Sequence, residues 1–181
     1  MATEIAKQEN ADINIIQLAA LLHDVNDIKL SPETYDTKKN VVNFMTNNGM
    51  DEKVIDVVCK IIDEVLFAGT DSVAPSIIEG KCVQDAERLD AIGVVGIART
   101  FAYGGSRGRK IYDPDIESRI GMGKEEYRQD QNSTSINHFY EKLLLLKDML
   151  NISTVKKLAE HRQAVMQEFL QEFMAEWEGE K

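Results

Sequence analysis

Proline is scarce in this chain, three among 181 residues, so little interrupts helix formation along its length. Strand-like alternation is nearly absent as well, whereas apolar residues recur at three- and four-residue spacing, which predicts an all-α protein. Cysteine is limited to Cys59 and Cys82, in no close-spaced pair. That excludes a disulfide framework and a cysteine-rich zinc site, and both are read as core thiols. No apolar stretch is long enough to cross a bilayer, and the first residues lack the basic and apolar regions of a signal peptide, which predicts a soluble, cytoplasmic protein. Positive charge is in deficit: 21 Lys and Arg stand against 31 Asp and Glu, a net charge of -10. Such a field repels nucleic-acid polymers and anionic membranes, so any phosphate site has to be local.

What is present suits one domain over 1–181 with a buried core, at 43% hydrophobic and 29% charged residues. Asp12 is placed to cap a helix carrying Ile15, Ile16, Ala19, Leu22 and His23, and Ser31-Pro32-Glu33 reads as N-cap, first-turn proline and acidic first turn of a second helix reaching Met45. Asp51 starts another helix, which Gly69 closes. KCVQDAERLDAIGVVGIARTFAYGG reads as one long helix ending at Gly104 and Gly105. A polar insert from about 106 to 134 follows, without sustained period, and a span of that length is functional or mobile. Two helices close the chain, one over Ile136 to Leu150 and one from Ser153, as N-cap, to about Trp177.

The segment LAALLHDV ends an apolar run in adjacent His23 and Asp24. Neighbouring residues on a helix point about 100° apart, so the two do not share one core stripe. A divalent cation beside the helix end takes imidazole nitrogen and carboxylate oxygen together and offsets their desolvation. The plainer alternative is a histidine interacting with the helix dipole beside a capping Asp24. A second acidic cluster, Asp85, Glu87 and Asp90, is interleaved with Val83, Ala86, Leu89 and Ile92. Glu87 and Asp90 lie on one face and Asp85 on another. A carboxylate from this helix is the economical third donor, and the alternative pairs these acids with Arg88 and Arg99. Gly93 and Gly96 leave room for a second backbone.

These segments, with GGSRGRKIYDP, SINHFYEKLLLLKDMLN and KKLAEHRQAVMQEFLQEFMAEWEGE, resemble the HD superfamily of metal-dependent phosphohydrolases, in its compact bacterial group close to nucleotide pyrophosphohydrolases. The resemblance runs over nearly the whole chain. It implies an HD-domain helical bundle and a divalent metal, Mn²⁺, Mg²⁺ or another transition metal, held by histidine, the His-Asp pair and a distant acid. His23 and Asp24 match the pair. Glu87, after Ala86, takes the position of the distant acid, with Asp85 a further ligand candidate and Asp90 beside it.

The family pattern begins with a histidine on an earlier helix, and no histidine precedes His23 here. MATEIAKQENAD resembles the end of that helix, which implies either a shortened product or a diverged protein, with apolar surface around Ile5, Ile15 and Leu18 left open and a homodimer as one outcome. Ala68 stands where the group has a lysine, and Lys60 where a histidine is common. The implied reaction is metal-assisted hydrolysis of a nucleotide or other phosphorylated small molecule, with Asp24, Glu87 and Asp90 as catalytic candidates. Arg107, Arg109 and Lys110 form the evident local anion site, against the alternative of a solvated loop. His138 and Lys142 share a helical face and are candidates for the same cleft; packing and loop capping are the alternative. The competing expectation is a catalytically silent helical protein that binds a nucleotide or a partner chain.

Overall fold

The computed structural model describes residues 1–26, 31–129 and 133–181. They form nine α-helices and no strand: α1 (Ala2–Glu9), α2 (Ile13–Leu22), α3 (Lys39–Asn47), α4 (Glu52–Val65), α5 (Ile78–Asp90), α6 (Gly93–Ser106), α7 (Lys124–Gln129), α8 (Ser135–Glu141) and α9 (Ser153–Trp177). The all-α expectation holds among these residues. The chain sorts into two compact units, one of 1–67 with 73–86 and one of 68–72 with 87–181.

In the first unit, α1 packs on α2, and α2 and α3 on α4. Asp12 caps α2 as expected, its carboxylate accepting the N–H groups of Asn14 and Ile15. Asp51 does the same for Lys53 at the start of α4. Val58, Ile61, Ile62 and Val65 form the buried stripe of α4, and a fully buried side chain such as Ile61 or Ile16 contributes about 1.5–3 kcal/mol relative to exposure. Ile5 belongs to this core at 6% exposure, and Ile15 and Leu18 are half-buried. The open surface expected around these three is therefore largely covered, because α1 itself lies on α2.

The expected helix from Ser31 to Met45 is broken. A 3-10 turn at Pro32–Thr34 is followed by Lys38 in the left-handed region (φ 49°), and regular helix begins only at Lys39. Asn26 holds the broken segment: its buried carboxamide donates to the Thr34 carbonyl and hydroxyl and accepts from the Val41 N–H.

In the second unit α6 packs against α9 and α8. The single helix expected to end at Gly104 and Gly105 is two. Gly93 has φ +80°, and a Cβ there would stand 3.0 Å from the Arg162 stem. A Cβ on Gly96 would stand 2.2 Å from the Ala91 carbonyl oxygen, so it is the linker's own backbone that folds over this glycine. The helix expected over Ile136 to Leu150 also breaks: α8 ends at Glu141 and a 3-10 turn takes over at Leu143–Leu145. At α9 the N-cap is Ile152, and Ser153 is the first helical residue.

The polar insert is tied down at many points. Ser135 and Ile136 donate their N–H groups to the carbonyls of Lys110 and Ile111, which satisfies donors that the first turn of α8 leaves without helical partners. Asn137 Nδ2 donates to the Ile116 carbonyl, and Glu141 accepts the Arg119 N–H and the Ser133 hydroxyl. Residues 130–132 of the expected loop lie outside the described residues.

Candidate functional site

The apolar stripe of α2, with Ile16, Ala19 and Leu22 buried, carries the chain to His23 at the helix end. His23 Nδ1 lies 2.9 Å from the Ala20 carbonyl oxygen. A carbonyl only accepts, so Nδ1 is the nitrogen that donates to it. Nε2 in turn lies 3.4 Å from Asp24 Oδ2. The imidazole is 20% exposed and the carboxylate 63%, which leaves both reachable from solvent. A ring held by a backbone carbonyl through one nitrogen, with the other beside a carboxylate, brings together nitrogen and oxygen donors of the kind a divalent cation takes.

The three acids of α5 differ sharply. Asp85 is fully buried in the first unit, one turn after the equally buried Cys82. Glu87 is half-buried, and Asp90 is exposed at the helix end, ion-paired with Arg99. The Asp90–Arg99 pair is the surface salt bridge weighed as the plain alternative, whereas Arg88 turns inward and donates to the Met149 carbonyl. Among the described residues, no three of His, Cys, Asp and Glu stand close enough together to hold a metal ion. Among the described residues the structure thus joins His23 to Asp24 and adds no third donor to them.

In the second unit, Arg107 is exposed and its guanidinium lies 5.4 Å over the Tyr103 ring. Its N–H and that of Arg109 close the end of α6 on Tyr103 and Gly104 carbonyls. A Cβ on Gly104 would stand 2.3 Å from Ser135 Oγ, so a side chain there would require that hydroxyl to turn away. Lys110 is engaged by Asp113, Nζ to Oδ2 2.5 Å. The hydrogen bond and charge of Asp113 hold the Lys110 pKa above its ordinary value, and the same bond holds Asp113 below the usual carboxylate range. His138 is half-buried on α8, and Lys142 is the residue just past that helix, its ammonium 5.7 Å over the Tyr127 ring. The shared helical face expected for these two therefore ends between them.

Two residues that hold these segments were not singled out from the sequence. Asn26 and Glu141 are polar, buried to 4% and 5% exposure, and their partners lie 8 to 22 residues away, beyond any local pattern.

A family model described as the HD domain matches residues 1–92. A protein of Lactobacillus plantarum of known crystal structure is 41% identical and superposes with a TM-score of 0.88, covering 98% of this chain and 82% of that one. A crystal structure of an HD-superfamily hydrolase from Bacillus thuringiensis is 42% identical with a TM-score of 0.71, over 98% of this chain and 81% of that one. YpgQ of Bacillus subtilis is 37% identical over 174 residues, 95% of this chain and 77% of its own length. Its crystal structure in complex with ADP matches with a TM-score of 0.74 at 36% identity, over 97% of this chain and 82% of that one.

Proposed function

The chain belongs to the HD domain family, and from that premise we propose that it hydrolyses nucleotide phosphoanhydrides, with His23 and Asp24 as the reactive pair. The observation that carries the reading is the His23 ring itself: Nδ1 is committed to Ala20 and Nε2 is turned toward the Asp24 carboxylate. That YpgQ was crystallised with ADP supports a nucleotide as the ligand class.

HD-domain hydrolases generally bind divalent metals. By donor type the two residues fit such a cation, while the described residues supply no third donor. When bound, the cation would acidify water and polarise a phosphoryl oxygen. The chain's own part is then limited and specific. His23 presents Nε2 in a fixed direction, Asp24 orients a water or accepts its proton, and Arg107 and Arg109 bind phosphate oxygens through planar guanidinium groups. Glu87, Asp85 and Asp90 remain proposed participants, as do His138 and Lys142, and one domain over 1–181 remains the proposed organisation. No helix among the described residues is long and apolar enough to cross a membrane.

The incomplete donor set favours a second reading, an HD-fold protein that binds a nucleotide or a partner chain, a second copy included, without turnover. Phosphate and pyrophosphate release from a nucleotide panel with added Mn²⁺, run beside equilibrium binding of the same nucleotides, separates the two. Release supports the hydrolase, and saturable binding with no release supports the silent protein.

A further inference from the structure

The helix that delivers His23 ends without a left-handed capping residue: His23 itself is right-handed, and the closing bond is Val25 N–H to the Leu22 carbonyl. Nothing in that turn alone fixes where Asp24 points. Two residues on, Asn26 is 4% exposed and all its amide groups are engaged. Nδ2 donates to the Thr34 carbonyl at 3.2 Å and to Thr34 Oγ1 at 2.5 Å, and Oδ1 accepts from the Val41 N–H at 3.1 Å. This orientation of the amide is the one its partners allow, because a backbone N–H needs the oxygen and a carbonyl needs the NH₂.

Val41 is the third residue of α3, and the residue preceding that helix, Lys38, offers no side-chain cap. Asn26 therefore caps α3 from 15 residues away, satisfying a first-turn N–H that the helix leaves open. Thr34 Oγ1 is held in place from the other side by Asn40 Nδ2 at 3.1 Å. With Cα atoms about 3.8 Å apart along the chain, an immobilised Asn26 leaves Asp24 two short steps of freedom.

We propose that Asn26 is the positioning residue of the His23–Asp24 pair, its buried carboxamide bolting the turn that carries the pair to the start of α3. The inference rests on the reading of His23 and Asp24 as the reactive pair, and its test keeps the two apart. With three histidines in the chain, the ring nitrogens are assignable in ¹H–¹⁵N long-range NMR spectra recorded at one pH without metal. The unaltered protein is expected to show two distinct His23 nitrogen shifts, with a proton held on Nδ1 by the Ala20 carbonyl. In Asn26→Ala the two nitrogen shifts converge toward a tautomer-averaged value, and Mn²⁺ must be raised about tenfold for equal broadening of His23. Asn26→Asp, which keeps the acceptor for Val41 and loses the donors to Thr34, falls between and serves if the alanine variant does not fold. Met45→Ala removes a buried side chain of α3, lowers the melting temperature, and is expected to leave the His23 shifts in place. Folded Asn26 variants with unaltered His23 shifts, or a Met45→Ala variant that moves them equally, overturn the positioning role. Absence of Mn²⁺ broadening in the unaltered protein contradicts the metal reading of the pair and leaves the nitrogen shifts to decide on Asn26.

Discussion

The Tyr112 ring meets the Trp177 indole edge-on, with centroids 5.2 Å apart and planes at 90°. Tyr112 sits in the segment that carries Arg107, Arg109 and Lys110, and Trp177 closes α9, stacked on Phe173 at 5.9 Å. Trp177 is the single tryptophan of the chain, so its emission reports on that segment. Addition of ADP is predicted to change it. Tyr112→Ala is predicted to shift it to the red, to abolish the ADP response, and to cost about 1 kcal/mol of stability, measured by urea denaturation. An ADP response of full size in Tyr112→Ala would disconnect the segment from nucleotide binding.

The break between α5 and α6 rests on two glycines. Gly93→Ala places a side chain at φ +80° against Arg162 and is predicted to cost about 1–3 kcal/mol. Gly96→Ala drives a Cβ onto the Ala91 carbonyl, where no flexible side chain can give way, and is predicted to cost more. Denaturant midpoints order the two, and a stabilised Gly93→Ala would refute the account of the break.

The Lys110–Asp113 pair gives a pH signature. A carboxyl held below its usual range contributes stability above its unfolded pKa and loses it as pH falls through the folded value. A raised lysine contributes below its unfolded pKa and loses it as pH rises through the folded value. With Asp113 lowered and Lys110 raised, the pair is intact across neutral pH and opens only at the acid and far alkaline ends. Asp113→Asn is predicted to release Lys110 and tighten nucleotide binding at neutral pH, with a steeper salt dependence. Weaker or unchanged binding would remove Lys110 from the phosphate contacts.

Both thiols were expected in the core. Cys82 is fully buried, and burial pushes its pKa up to about 11, with the charges of Glu9, Asp85 and Glu79 adding to the shift. Cys59 is partly exposed, and burial raises it as well. A disulfide reagent at mildly alkaline pH is predicted to titrate one thiol slowly in the native protein and both in denaturant. Two fast thiols without denaturant would contradict this packing.

Helix content and several helix starts were legible in the sequence because their determinants are local: Asp12 and Asp51 each cap the residues immediately after them. His23 and Asp24 stood out for a similar reason, as polar neighbours ending an apolar run. The breaks were not legible. Glycine at position 93 is compatible with a continuous helix until Arg162, 69 residues later, is known to lie on it. The break before α3 depends on the contacts of Asn26 with Thr34 and Val41, and the anchoring of the polar insert on Glu141. In sequence the helical faces set Asp85 apart from Glu87 and Asp90, but did not show that Asp85 is fully buried and Asp90 exposed.

The most direct test of the central claim is nucleotide hydrolysis with added Mn²⁺ by the unaltered protein and by His23→Ala, with circular dichroism to show that both are folded. A working His23–Asp24 centre predicts phosphate or pyrophosphate release that falls by at least about 100-fold when the imidazole ring is lost, since a ligand matters no less than the groups that orient it. Equal release by the two proteins, or none from either, would contradict it.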